Sequence, residues 1–248
     1  MFKIVCKNIN WAKRVMRILK RSSLIYNEVI FVILSMVYLH ISFSLDADIS
    51  AIDFKRLTEL VIGLPALTFL SIVAIISIML VKRISIYLLS LLTLLVFYKS
   101  FSTFLLSYDK ILLVMNVAYM IVSYNMILLL REELSLAIYK PGYMSSSIEV
   151  ENYKSLRAII SNGNGSFEGN ITNMDKWGIV LKLDDPQSIS GSVDVCINFE
   201  GNEFHGRGIL STKFDTGYGV KLLTSKKTPS VLDWKDLYNI FYRRGYKI

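Results

Sequence analysis

The sequence has few of the residues that build disulfides, metal centres and most catalytic sites. It contains two cysteines, Cys6 and Cys196, two histidines and a single glutamine, Gln187. The wide separation of the cysteines argues against a disulfide, and His205 falls in an alternating segment where a local hydrogen bond is expected. No Cys/His cluster with zinc spacing, phosphate-binding glycine loop or Gly-x-Ser-x-Gly turn occurs. We therefore expect no catalytic residue, no metal and no resident cofactor.

Charged residues are scarce through four long stretches of the first half. The mean hydropathy of the whole chain is +0.45, which is high for a soluble protein. A transmembrane helix needs roughly 20 mainly apolar residues, and such runs occupy about residues 24–45, 60–80, 84–105 and 111–130. Lys99 lies near the end of the third run, where its amine can reach the interface. The pattern predicts a four-helix transmembrane domain over residues 23–131.

Acidic residues are absent from the first 22 positions, which carry seven lysines and arginines. The loop after the first apolar run is instead acidic, with Asp46, Asp48, Asp53 and Glu59. Because short cytoplasmic segments are enriched in lysine and arginine, this asymmetry predicts that both termini are cytoplasmic. Much of the net charge of +8 thus flanks a membrane span, so the expected partner is the lipid bilayer and not nucleic acid.

The basic arm, residues 1–22, has an imperfect helical periodicity over residues 2–21. One interpretation is an amphipathic helix that lies on the inner leaflet. The other is a cytoplasmic extension that only sets the topology of the first span.

From residue 150 onward, short alternating segments replace the long apolar runs. Candidate strands lie at about residues 156–161, 166–172, 178–183, 192–199, 203–211 and 218–223. Asn162–Gly165 is a strong hairpin signal, and residues 229–244 are typical of a helix. Pro141-Gly142 and the serines that follow indicate a linker over residues 132–149. We predict a six-stranded antiparallel barrel with a C-terminal helix over residues 150–248.

Two short motifs accompany this strand pattern. The first is Tyr153-Lys154-Ser155-Leu156-Arg157, just before the first strand, and the second runs from Asn173 to Gly178 between the second and third strands. Together they resemble the PilZ domain, a bacterial receptor module for cyclic di-GMP. Members of that family carry Arg-x-x-x-Arg and (Asp/Asn)-x-Ser-x-x-Gly at these places. Here Tyr153 replaces the first arginine, and Asp175 replaces the serine.

The resemblance implies a degenerate cyclic di-GMP site. Arg157 would bind phosphate or guanine through its planar fork, Tyr153 could stack on guanine, and Lys154 adds a positive charge. Asn173 and Gly178 would shape the second contact. Asp175 puts an anion near a dianionic ligand, which weakens binding by about 1 kcal/mol or more. The alternative is a turn in a barrel that no longer binds nucleotide.

A narrower resemblance concerns the bacterial cellulose synthase catalytic subunit. Lys154-Ser155-Leu156-Arg157-Ala158 is similar to the junction that enters its PilZ domain, and residues 115–125 are loosely similar to its membrane region. That enzyme carries a large glycosyltransferase domain between membrane segments, whereas the loops between the apolar runs here are short. The chain also lacks a Gln-x-x-Arg-Trp motif.

These resemblances imply a non-enzymatic protein of the bacterial inner membrane with a cytoplasmic barrel. The expected role is a cyclic di-GMP receptor or regulatory subunit for exopolysaccharide synthesis, such as cellulose synthesis, or for another envelope complex. Its partner would be a membrane protein of that complex. Two alternatives stay open: a docking module that binds no nucleotide, and a divergent remnant of cellulose synthase.

Overall fold

The computed structural model describes residues 16–47, 50, 54–140, 156–162, 165–183, 191–223 and 232–244. The chain forms two compact units. One is Arg21–Ser135, and the other combines Met1–Lys20 with Leu136–Ile248.

The first unit is helical. Its helices are α1 (Ser23–Asp46), α2 (Phe54–Gly63), α3 (Pro65–Met79), α4 (Ile84–Ser107) and α5 (Lys110–Ser135). Among the described residues, α1, α4 and α5 are each long and apolar enough to cross a membrane, and the count rises to four if α2 and α3 together make one span. Membrane-type helices are thus confirmed for three of the four predicted runs.

The second predicted run, residues 60–80, is broken where α2 and α3 meet at an angle of 91°. Leu64 interrupts the helix with φ −118° and ψ 60°, and Pro65 opens α3 at its first turn. Proline has no N–H to donate, and its ring disfavours a helical conformation at the preceding residue. The prediction of a continuous helix is therefore wrong at Leu64 and Pro65, although the run is helical on both sides of the break.

Buried polar side chains connect three of the long helices. The Tyr38 hydroxyl of α1 donates to Asn116 Oδ1 of α5 at 3.0 Å and lies 2.9 Å from Ser100 Oγ of α4. One turn away, the Tyr119 hydroxyl donates to Ser35 Oγ at 3.1 Å. The Tyr38 and Tyr119 rings stack at 4.3 Å between centroids. In a lipid bilayer, hydrogen bonds of this kind supplement van der Waals packing between helices, because water release contributes little there.

The second unit contains a closed barrel. Its strands are β2 (Arg157–Asn162), β3 (Gly165–Met174), β4 (Gly178–Leu183), β5 (Ser192–Phe199), β6 (Asn202–Phe214) and β7 (Gly217–Leu223). Every neighbouring pair is antiparallel, in the closed order β2-β3-β4-β7-β6-β5 and back to β2. All six predicted strands are present, and Asn162 pairs with Gly165 at the predicted hairpin.

Alternation along each strand builds the barrel core. In β5, for example, Val193, Val195, Ile197 and Phe199 point inward and are buried, while the residues between them face outward. The inward side chains of β4 and β7 follow the same period of two, and those of all six strands form one continuous hydrophobic cluster.

The C-terminal helix α6 (Trp234–Arg243) completes that cluster. It starts at a capping box formed by Asp233 and Asp236, and it buries Trp234, Leu237 and Phe241. Just before it, the short strand β8 (Leu232–Asp233) pairs in parallel with β6. The fold class predicted from the sequence, apolar helices plus a six-stranded antiparallel barrel with a C-terminal helix, is confirmed.

Two segments outside the predicted barrel also join it. Before α1, the short strand β1 (Arg17–Ile18) pairs antiparallel with Lys213 and Thr212 of β6, and Leu19 N donates to Ser211 O at 2.9 Å. The helical interpretation of residues 2–21, one of the two left open, is therefore wrong at Arg17–Ile18, because backbone groups there hydrogen-bond to a neighbouring strand. Residues 1–15 lie outside the described part of the chain.

The second segment follows α5. Of the linker predicted over residues 132–149, the structure extends α5 through Ser135 and folds Ala137–Tyr139 into a single 3-10 turn. Residues 141–149 lie outside the described residues. We refer to Ala137–Lys140 as the linker segment.

Candidate functional site

The candidate site is the turn between β3 and β4, where the sequence predicted a ligand contact. Asp175 Oδ1 accepts hydrogen bonds from Trp177 N at 2.6 Å and Gly178 N at 2.8 Å. Asp175 N donates to Gly178 O at 2.9 Å and closes the turn. Aspartate is well suited to this position because its short carboxylate reaches backbone amides two and three residues ahead.

The linker segment forms hydrogen bonds with two side chains at this turn. Asp175 Oδ2 accepts from Ala137 N, and Asn173 Nδ2 donates to Lys140 O at 2.6 Å. Asn173 Oδ1 accepts from Met174 N at 2.9 Å. Both polar atoms of Asn173 and both oxygens of Asp175 therefore bond to backbone groups of the chain itself.

Strand β6 also hydrogen-bonds to the middle of the linker segment. Thr212 Oγ1 of β6 donates to Ile138 O at 2.6 Å. Thr212 lies beside an irregularity in the β6–β7 register between Leu210 and Thr212. Ile138 is only 1% exposed, so this contact combines a buried hydrogen bond with burial of an apolar side chain.

Two glycines provide the space for Ile138. A Cβ at Gly178 would lie 2.4 Å from Ile138 Cγ2 and 2.7 Å from Val220 O, and a Cβ at Gly219 would lie 2.6 Å from Ile138 O. The sequence assigned Gly178 to the shape of a ligand pocket. In the structure its missing side chain makes room for the linker segment.

The other predicted site residues are only partly described. Arg157 is exposed as the first residue of β2 and pairs with Asn170 of β3. Leu156 O accepts from Ile171 N at 2.9 Å, which places Arg157 beside the strand that leads into the turn. Tyr153 and Lys154 lie outside the described residues. The ligand roles assigned to all six residues stay predictions.

An exposed tryptophan in the turn was not singled out from the sequence. Trp177 is 46% exposed, with Lys176 Nζ 5.3 Å and Lys235 Nζ 5.8 Å from its ring centroid. Such distances allow cation–π attraction. The adjacency of Lys176 and Trp177 was visible in the sequence, but Lys235 joins them only because the fold brings the start of α6 close to the β3–β4 turn.

Comparison with solved structures finds a similar domain, although comparison by sequence finds none. No family model matches the chain, and no curated protein matches it. The chain is similar to the crystal structure of the PilZ domain of CeSA from a cellulose-synthesizing bacterium, with 16% sequence identity and a TM-score of 0.28. The match covers 38% of this chain and 94% of that one. The barrel architecture itself rests on the strand pairing described above.

Proposed function

We propose that this chain is a non-catalytic regulatory or docking subunit of a bacterial envelope complex, whose barrel binds the chain's own linker segment at the β3–β4 turn. The observation that carries the proposal is that Asn173, Asp175 and Gly178 contact the linker segment. These residues stand where a PilZ-type site would contact its ligand, and here they hold residues 137–140. Exopolysaccharide synthesis, such as cellulose synthesis, is the process suggested by the sequence resemblance.

Occupation of the turn favours docking over nucleotide binding in the described arrangement. An incoming cyclic dinucleotide would have to replace the Ala137 and Lys140 backbone groups that now bond to Asp175 and Asn173. It would also meet the negative charge of Asp175. Desolvating a phosphate next to a carboxylate is unfavourable unless a cation compensates.

A receptor function is the second candidate, and exposed cations near the turn favour it. Arg157 is exposed on β2, and Trp177 offers an aromatic face with Lys176 and Lys235 close by. An aromatic face can stack a base, and cations can neutralise phosphates. In this version cyclic di-GMP would displace the linker segment and so alter the connection between α5 and the barrel.

Titration of the full chain in lipid nanodiscs with cyclic di-GMP separates the two candidates. For the docking function we expect no saturable heat with the wild-type protein and none with Arg157→Ala. Saturable binding to the wild type that Arg157→Ala removes would support the receptor function instead. Glu168→Ala, which removes a carboxylate from β3 and leaves Arg157 in place, is a control for alteration of this surface.

We also propose that the helical unit spans the inner membrane four times, with both termini in the cytoplasm. The segment that leads into α1 pairs with β6, and the segment that follows α5 accepts a hydrogen bond from Thr212 of the same strand. Two segments that both contact one small barrel must lie on the same side of the bilayer. The chain between them therefore crosses the bilayer an even number of times. This supports counting α2 and α3 as one span, and the basic arm supports the cytoplasmic side.

The two native cysteines make this topology testable by thiol labelling of intact cells. Cys6 precedes α1 and Cys196 lies in the barrel, so in Cys6→Ser and Cys196→Ser variants the remaining thiol reports on one end of the chain. We expect a membrane-impermeant maleimide to label neither thiol until the inner membrane is permeabilised. Asp48→Cys in a chain lacking both native thiols should be labelled from outside. Labelling of one native cysteine but not the other in intact cells would contradict four crossings.

A further inference from the structure

A cluster of potential metal ligands lies on the outer face of the barrel, where β5 and β6 pair. Cys196 is directly opposite His205, and Glu203 precedes His205 by two residues and so shares its face of the sheet. One ligand atom from each of the three side chains lies within 4.8 Å of the others. His205 Nε2 is 3.7 Å from the nearer Glu203 carboxylate oxygen.

The ligand types select a class of cation. A thiolate and an imidazole suit zinc and neighbouring transition metals, whereas magnesium and calcium prefer sites made of oxygen ligands. The thiolate and the carboxylate together carry two negative charges, which balance a divalent cation. Zinc sites with three protein ligands commonly hold water at a fourth position.

The cluster can adjust to metal without disturbing the fold. In tetrahedral zinc sites, ligand atoms about 2.0–2.3 Å from the metal are ~3.3–3.8 Å apart. The ligand atoms of Cys196, Glu203 and His205 lie within 4.8 Å of one another, so they need to approach only slightly to bind a metal. The Glu203 and His205 side chains are 65% and 50% exposed, so both have room to rotate toward Cys196. The strand backbones that carry them are fixed by the β5–β6 pairing.

We propose that Cys196, Glu203 and His205 form a surface binding site for a divalent cation of the zinc class, with a fourth position open to water. The sequence predicted no metal site, since these three residues match no zinc spacing, and it predicted a local hydrogen bond for His205. The barrel brings them together across two strands. This site is independent of the β3–β4 turn and of the function proposed for it.

Cobalt(II) titration of the full-length protein in detergent tests the site, because cobalt replaces zinc and absorbs when a thiolate binds it. We expect a thiolate-to-cobalt charge-transfer band that saturates at about one equivalent and disappears when zinc is added. Cys196→Ser should abolish the band, and His205→Ala and Glu203→Gln should each weaken binding at least tenfold. Cys6→Ser and Asp194→Asn are matched controls that should leave it unchanged.

Three results would overturn the proposal. They are no saturable band in the wild type, a band that survives Cys196→Ser, and equal weakening by Glu203→Gln and Asp194→Asn. The last would mean that surface charge alone attracts the metal. Far-ultraviolet circular dichroism and thermal unfolding of each variant establish that it is folded. The substituted carboxylate and imidazole positions are exposed, so we expect no loss of structure.

Discussion

Replacing Gly217 with alanine should strongly destabilise the barrel by disrupting the pairing of β4 with β7. A Cβ at Gly217 would lie 1.8 Å from Leu181 O and 2.8 Å from Leu181 C. These are backbone atoms of the paired strand, so no side-chain rotation can relieve the clash. Because β4 and β7 would have to separate, we expect the free energy of unfolding to fall by about 3–5 kcal/mol. This is above the usual range for overpacking.

Gly206→Ala is the matched control for this prediction. Its Cβ would meet Leu222 Cδ2 at 3.3 Å and Trp234 Cβ at 3.4 Å, contacts that small shifts can relieve, so we expect a cost within about 1 kcal/mol. Denaturant unfolding of the full chain, followed by fluorescence of Trp177 and Trp234 in the barrel unit, compares the two variants. Equal midpoints for Gly217→Ala and Gly206→Ala would show that β4 and β7 do not pack as described.

Asp175→Asn should release the linker segment while leaving the β3–β4 turn closed. The asparagine carbonyl can still accept from Trp177 N and Gly178 N, but its amide would direct an N–H at the Ala137 N–H. The variant thus replaces a charge-assisted hydrogen bond with two opposed donors, at a cost of about 1.5–3 kcal/mol. Local opening of residues 137–140 should rise by roughly 10-fold to 100-fold, since 1.4 kcal/mol corresponds to tenfold.

Hydrogen–deuterium exchange measured by mass spectrometry follows this opening directly. We expect faster exchange in peptides that cover residues 136–140 and little change in β4. Asp194→Asn removes an exposed carboxylate from β5 and should leave the linker segment protected. If Asp175→Asn and Asp194→Asn exchange alike at residues 136–140, Asp175 does not hold the linker segment.

Local patterns predicted most of the architecture. Strand alternation depends on neighbouring residues only, so Val193 to Phe199 could be assigned to the core face of β5 without knowledge of the partner strands. The hairpin at Asn162–Gly165 likewise follows from the turn residues themselves. The break before Pro65 had a local signal in the proline, but hydropathy averaged over a long window does not detect a change in helix direction.

Contacts between distant segments could not be predicted in this way. The short strand Arg17–Ile18 has no strand pattern of its own, because only β6 supplies its hydrogen-bonding partners. The same limit applies to the candidate site. Asp175 was interpreted as a poor ligand residue in place of serine, whereas its carboxylate pairs with the amide of Ala137, 38 residues earlier in the chain.

A disulfide cross-link between the linker segment and the turn tests most directly whether residues 137–140 occupy the candidate ligand site. Ile138→Cys and Gly178→Cys are combined in the full chain with Cys6→Ser and Cys196→Ser, because a Cβ at Gly178 would lie 2.4 Å from Ile138 Cγ2, an atom that Ile138→Cys removes. The new Cβ then has one remaining close contact, Val220 O at 2.7 Å, which a shift between β4 and β7 must relieve, so circular dichroism first establishes that the variant is folded. Disulfides need Cβ atoms about 3.5–4.5 Å apart. Ile159→Cys replaces Gly178→Cys in the control, since Ile159 is 44% exposed on the outside of β2. We predict near-complete cross-linking of the first pair under mild oxidation and little of the second; a folded 138/178 variant that keeps both thiols reduced would contradict the account.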